Sequence, residues 1–274
     1  MCEKIRLDIV LKERYGFSRE AAKDAIEKGY VSYQGKIFKK AGEKVSGDIE
    51  LTVDDKGFLK YVGRGGLKLE KAINEFGIDI ADKVCIDVGA STGGFTDCML
   101  QSGAKKVYSV DVGHGQLADV IKNNPKVVSM ENTNIVDLKK DDFPLCIDFA
   151  SVDVSFVSLT KILSYVYDIL GEKAEAVALI KPQFEAGRQN INRKGIVKNP
   201  KAHKNVLKTI FTYVTGVGFK IKNISFSPVK GGDGNIEYII YLSKKADNDT
   251  NSNIIAADFN TVIEKVVSEA QSKL

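Results

Sequence analysis

A chain of 274 residues, 43% hydrophobic and 28% charged, has enough apolar material for one or two buried cores and excludes a disordered or fibrous class. Its net charge of +4 is compatible with nucleic acid without requiring it. Two histidines and four scattered cysteines (Cys2, Cys85, Cys98, Cys146) with no CxxC pair exclude an obvious zinc site, so no metal is expected. No run approaches the ~18 apolar residues of a membrane helix, and MCEKIRLDIV is too charged for a signal peptide, so a cytoplasmic protein is expected.

In chain order, residues 5–16 (IRLDIVLKERYG) carry a helical pattern ending near Gly16. A second helix is expected at 18–29, with Ser18 as N-cap, Ala21, Ala22, Ala25 and Ile26 as its apolar stripe, and Gly29 as its stop. Short β-like pieces follow at 30–38 and 48–53. Beyond a basic connector at 63–77 (GRGGLKLEKAINEFG), strands at 84–88, 107–111, 126–130, 146–153 and 175–180 alternate with helical segments. That alternation predicts an α/β fold, a mostly parallel Rossmann-like sheet with helices on both faces. Two final strands, within 219–229 and 235–244, are joined by a glycine-rich turn with no helix, so one of them runs antiparallel. A polar linker from Ala246 and a short amphipathic helix at 259–270 end the chain. The expected organisation is a small α+β unit at 1–60, a connector and first helix at 61–79, the sheet domain at 80–245 and a tail at 246–274.

The stretch DVGASTGGF, residues 87–95, follows the first strand of that sheet, where α/β folds bind nucleotide-like ligands. Gly89 permits the tight turn, Gly93 and Gly94 allow close approach, and Ser91 and Thr92 offer hydroxyls. The run GASTGG lacks the middle glycine of a dinucleotide GxGxxG, with Ala90 and Ser91 in its place. That departure favours S-adenosyl-L-methionine, which has no pyrophosphate to cradle. Asp111, 22 residues after Gly89, suits the ribose hydroxyls, and Asp87 suits the methionine ammonium. Asn134, after the third strand, is placed near the adenine. His114 is read as a flanking loop residue, and Phe95 as more core than stacking partner.

Several longer motifs carry a resemblance. The segments RLD (from Arg6), SREAAKDAIEKGYVSYQGK and KKAGEKVSGDIEL resemble the S4 RNA-binding module. GRGGLKL, DVGASTGGFTD, DVGHGQL, DVSF, LIKPQFE and GNIEY resemble the FtsJ-like ribose methyltransferases. Together they resemble the TlyA/hemolysin A family of rRNA 2′-O-methyltransferases, over about nine tenths of the chain. That resemblance implies a Rossmann-like methyltransferase sheet with a small N-terminal RNA-binding domain, S-adenosyl-L-methionine as cofactor, and ribosomal RNA or ribosomal subunits as partner, with cytidine targets. It also implies a Lys-Asp-Lys-Glu tetrad, here Lys68, Asp153, Lys181 and Glu237.

Placement read from the residues agrees with such a cluster. Asp153 and Lys181 end the fourth and fifth expected strands, Glu237 begins the last, and Lys68 lies in the connector. Lys181 is the candidate base or oxyanion stabiliser, Lys68 the candidate neighbouring cation, and the two carboxylates would orient them. For RNA, Arg19 and Lys23 share one helix face, and Arg6, Lys36, Lys39 and Lys40 could join them. Arg64 and Lys71 extend basic character along the connector, and Arg188, Arg193 and Lys194 lie beyond Lys181. The competing readings are a noncatalytic RNA-binding or ribosome-assembly factor, a nicotinamide oxidoreductase, and a cytolysin. The first would lack cofactor binding, the second wants GxGxxG, and the third wants a membrane-spanning run or a long alternating hairpin.

Overall fold

The computed structural model describes residues 4–15, 17, 19–54, 60–231, 234–244 and 259–274, without the side chains of Glu20 and Ala21. Cys2, Gly16, the Ser18 cap, Ala21 in the apolar stripe and the linker at 246–258 lie outside the described residues.

The N-terminal part contains β1 (Lys4–Arg6), α1 (Leu7–Tyr15), α2 (Arg19–Lys28), β2 (Val31–Tyr33), β3 (Lys36–Ile37), β4 (Lys44–Ser46) and β5 (Thr52–Val53). Leu7, Val10 and Leu11 on α1, spaced at i, i+3 and i+4, meet Ala22, Ala25 and Ile26 on α2 in a separate small core closed by Val31, Phe38 and Leu51. Residues 5 and 6 are strand, not the helix expected there, because β1 pairs antiparallel with β4, Ile5 opposite Val45. A three-residue edge strand has too short a pattern to compete with the helical signal that follows it.

The connector is also regular structure: α3 spans Gly65–Phe76 and stops at Gly77, whose φ of +65° places its N–H on Ile73 O. Then come β6 (Val84–Val88), α4 (Gly94–Gln101), β7 (Lys106–Val110), α5 (Asp119–Lys122), β8 (Val127–Met130), β9 (Ile147–Val152), α6 (Leu163–Ile169), β10 (Leu170–Ile180), α7 (Pro182–Glu185), α8 (Pro200–Val217), β11 (Lys220–Phe226), β12 (Tyr238–Ser243) and α9 (Phe259–Lys273). Seven of these strands form one sheet in the order β11-β12-β10-β9-β6-β7-β8. The reversed strand is β12, antiparallel to both β10 and β11.

Alternate residues of each strand serve opposite faces. Val84, Ile86 and Val88 share a core with α6, α8 and α9, whereas Cys85, Val107, Phe149 and Val177 share one with α3 and α4. Covered on both sides, β6 is buried along its whole length. Functional side chains therefore cannot sit along the strands and must gather at their ends. The carboxyl ends of β6, β9 and β10 lie on one edge, and the reversal of β12 brings its amino end to that same edge.

Candidate active site

At that edge a cavity of about 510 Å³ opens between the glycine loop, the start of α3, the ends of β9 and β10, and the turn before β12. Its size is that of an ordinary small-ligand pocket. The glycine loop is built for close approach. Gly89 has φ +86°, and a Cβ there would lie 2.5 Å from Asp153 O. Ser91 also takes a left-handed conformation, φ +48°, and its N–H donates to Asp111 Oδ2 at 2.7 Å. Asp111 Oδ1 accepts from Gly113 N at 2.7 Å, so one carboxylate ties the loop after β6 to the loop after β7. The GRGG segment packs on the glycine loop: a Cβ on Gly94 would lie 3.0 Å from Gly63 O and from Gly66 N.

Opposite the loop, four charged side chains form an alternating chain. Glu237 Oε2 accepts from Lys68 Nζ at 2.7 Å. Lys68 Nζ lies 4.0 Å from Asp153 Oδ2, and Asp153 Oδ1 lies 2.5 Å from Lys181 Nζ. That last approach is an ion contact without hydrogen-bond alignment, since Oδ1 accepts no hydrogen bond; Lys181 donates instead to Ser155 Oγ at 2.9 Å. All four side chains are less than one-fifth exposed. Burial alone disfavours the Lys68 ammonium, yet Asp153 and Glu237 together outweigh it and its pKa rises. Lys68 is thus a fixed cation, and Asp153 stands between it and Lys181 instead of leaving the two lysines in contact.

The other expected site residues divide clearly. Gly89, Ala90, Ser91, Thr92, Gly94, Phe95, Arg19 and Arg64 line the cavity with the tetrad. Asp87 does not: its carboxylate is fully buried beneath the loop, accepting from Thr96 Oγ1 at 2.7 Å and Ser151 Oγ at 2.9 Å. Burial pushes its pKa up to about 7. Residue 87 faces inward because its neighbours Ile86 and Val88 take the opposite face of a strand covered on both sides. Gly93 packs toward Leu117 and Ile121. Asn134 caps a short 3-10 turn, Oδ1 accepting from Val136 N, outside the cavity lining.

Among the basic residues, Arg6 forks onto Asp8 through Nε and Nη2, Lys36 pairs with Glu43 at 2.9 Å, and Lys23 stands 3.8 Å from Glu27. Arg188, Arg193 and Lys194 are exposed on the loop after α7. Lys71 is committed inward: Nζ donates to Phe226 O at 2.6 Å and lies 3.8 Å from the Phe226 ring centroid.

Ser155, Phe156, Gln183, Phe184 and Lys230 line the cavity without having been anticipated. The first four stand inside the motifs DVSF and LIKPQFE, so adjacency to Asp153 and Lys181 was an available signal. Phe156 is 90% exposed with φ +64°, a conformation unusual for a phenylalanine, and its ring centroid lies 5.0 Å from that of Phe184. No metal-ligating cluster of three or more side chains occurs among the described residues.

A mostly parallel, doubly covered sheet with a glycine loop at its first strand end and a charged cluster opposite defines an α/β protein with a site for a nucleotide-like cofactor. Comparison with known proteins narrows this. Residues 61–244 match the FtsJ-like methyltransferase family, and residues 5–49 match the S4 domain. The chain belongs to the FtsJ-like methyltransferase family, within its TlyA/hemolysin A group. It is 34% identical to the 16S/23S rRNA (cytidine-2′-O)-methyltransferase TlyA of Mycobacterium tuberculosis, over 90% of this chain and 92% of that one. It is 44% identical to Hemolysin A of Brachyspira hyodysenteriae, over 87% of this chain and 99% of that one. A solved structure from Streptococcus thermophilus, carrying a hemolysin name, is 42% identical with a TM-score of 0.78, covering 100% of this chain and 98% of that one. Among the described residues no helix is long and apolar enough to cross a membrane.

Proposed function

We propose that this protein methylates a ribose 2′-hydroxyl of ribosomal RNA, at a cytidine, with S-adenosylmethionine as methyl donor. The observation that carries the reading is the alternating chain Lys181–Asp153–Lys68–Glu237, facing a glycine loop across one cavity. The loop fits the cofactor: a bare Gly89, Ser91 and Thr92 leave room and polar contacts where larger side chains would fill the cradle. When bound there, S-adenosylmethionine supplies a methyl group already activated on a positive sulfur. Ala90, Ser91, Thr92, Gly94 and Phe95 are its assigned contacts, with Asp111 holding the loop in shape. Asp87 and Asn134 are assigned to the support of the site, not to direct contact.

The acceptor is the poor partner in this reaction, because a ribose hydroxyl is barely nucleophilic at neutral pH. Lys181 Nζ is assigned to hold the 2′-oxygen: as an ammonium it donates to that oxygen and offsets its developing charge while the hydroxyl proton leaves to solvent, and it serves as the base only after giving up its own proton. Asp153 orients Lys181, Lys68 holds Asp153 from its other side, and Glu237 anchors Lys68. With two cations and two anions the cluster is neutral as a whole, so neither a positively charged cofactor nor polyanionic RNA is repelled.

The RNA-binding role is assigned to residues 1–60 and catalysis to 80–245 together with the first helix of the catalytic domain within the linker 61–79, which carries Lys68, with 246–274 as the tail. Arg19, from α2, and Arg64 support this coupling, since both reach the cavity wall. Arg6, Lys23, Lys36, Arg188, Arg193 and Lys194 are assigned to phosphate contacts outside it. The Phe156–Phe184 pair offers a face for a base turned out of its helix.

The test is transfer of labelled methyl from S-adenosylmethionine to isolated small and large ribosomal subunits, with Lys181→Ala alongside. Label at a ribose 2′-oxygen, reduced by about 10² to 10⁴-fold in the variant, is the expected outcome. Cofactor binding with no transfer to either subunit or to free rRNA would overturn the RNA reading.

A further inference from the structure

Immediately beyond Lys181 stands a side chain that the fold leaves uncommitted. Gln183, in α7, lines the cavity, and its Oε1 is buried with no hydrogen-bond partner among the described residues. The polar side chains two residues to either side of it are engaged: Lys181 donates to Ser155 Oγ, and Glu185 accepts from Ser158 Oγ and Leu159 N. Burying an amide oxygen without a donor is unfavourable, and a group of this kind beside a reaction centre calls for a partner that the described part of the folded chain does not supply.

Position indicates which ligand supplies it. In the sheet, β9 separates β10 from β6, so the turn after β10 stands two strand spacings, roughly 10 Å, from the glycine loop. Gln183 is therefore on the Lys181 side of Asp153, with Phe184 as its neighbour, on the side opposite to the cofactor loop. No hydrogen bond among the described residues holds Oε1, and the last torsion of a terminal amide is soft, so the amide is free to turn toward the cavity that Gln183 lines.

We propose that Gln183 reads the base of the target nucleotide, its amide oxygen accepting from the exocyclic amine of the pyrimidine while its NH₂ donates to the adjacent ring nitrogen. This rests on the cytidine 2′-O-methylation proposed above. One planar amide matches both atoms of that edge, the same bidentate logic by which glutamine reads adenine.

The experiment uses the full chain, as wild type and Gln183→Met, against rRNA carrying at the acceptor position either cytidine or a pyrimidin-2-one nucleoside that lacks the exocyclic amine. Initial rates of methyl transfer are read, and S-adenosylmethionine affinity is measured separately by calorimetry. Gln183→Met is expected to lower kcat/KM on the cytidine substrate by roughly tenfold and to leave cofactor affinity unchanged. The analogue lowers the wild-type rate by a similar factor and lowers that of the variant no further, because residue and amine act through one contact. Losses that multiply would overturn the proposal, as would a wild type indifferent to the amine, a reading that needs no variant at all. Weakened cofactor binding in Gln183→Met would overturn it too, by moving the amide to the cofactor's side. If the wild type methylates neither RNA, the function proposed above falls and this inference with it; an active wild type matched by its variant removes only the role of Gln183.

Discussion

Replacing Gly89 with alanine separates the two demands that the glycine loop places on its backbone. Gly89 has φ +86° and a Cβ there would meet backbone, 2.5 Å from Asp153 O and 2.9 Å from its carbonyl carbon. Gly103, in the same sheet domain, provides the control: its φ is +89°, but the nearest atom to an added Cβ is Ala81 Cα at 3.5 Å, an ordinary contact. Left-handed backbone costs an alanine about 1–2 kcal/mol at either position. Only at Gly89 must backbone also move, and overpacking of that kind adds about 1–3 kcal/mol. Urea unfolding should therefore place Gly103→Ala about 1–2 kcal/mol below wild type and Gly89→Ala about 2–5 kcal/mol below it. The displaced atoms belong to Asp153, so Gly89→Ala should also lose at least about tenfold in methyl transfer at temperatures where it remains folded, and Gly103→Ala should not. Equal destabilisation of the two variants, or normal transfer by Gly89→Ala, would refute the reasoning.

Glu237→Gln leaves the Lys68 ammonium, whose side chain is only 11% exposed, facing one carboxylate at 4.0 Å; chemical denaturation should show a loss near the lower end of the 3–5 kcal/mol typical of a broken buried pair. Combining it with Lys68→Met should cost less than the two single losses added together. Two buried groups set opposite pH dependences. Asp87 has its pKa raised to about 7 by burial, so its stabilisation is complete below its unfolded value of roughly 4 and is lost as pH rises through 7; thermal melts should show Asp87→Asn gaining on wild type from pH 5 to pH 8. His203 has its pKa lowered by burial, and as a neutral ring it donates Nε2–H to Val197 O while Nδ1 accepts from Tyr238 Oη. Its stabilisation is present above roughly pH 6.5 and lost as pH falls, so His203→Gln should flatten the acid side of the stability profile.

Read alone, the chain determined the strands of its main sheet, its glycine loop and, through the motif resemblance, the four charged residues that the structure brings together. Such features are local: a strand buried on both faces is a short apolar run, a loop needing bare backbone shows its glycines, and strand ends fall where those runs stop. The carboxyl-end positions of Asp153 and Lys181 followed from that reading. What a strand pairs with is not local. That β12 rather than β11 is reversed decides that Glu237 reaches the same edge, and it depends on β12 inserting between β10 and β11. Residue 87 faces inward because it lies within β6, covered on both faces, whereas residues 153 and 181 stand one position past the ends of β9 and β10 and reach the cavity. The 4–6 strand and the inward turn of Lys71 each answer to a partner distant in sequence. Only tertiary structure could expose Gln183, because an unmet hydrogen bond is a property of everything around a side chain and of nothing in its own segment.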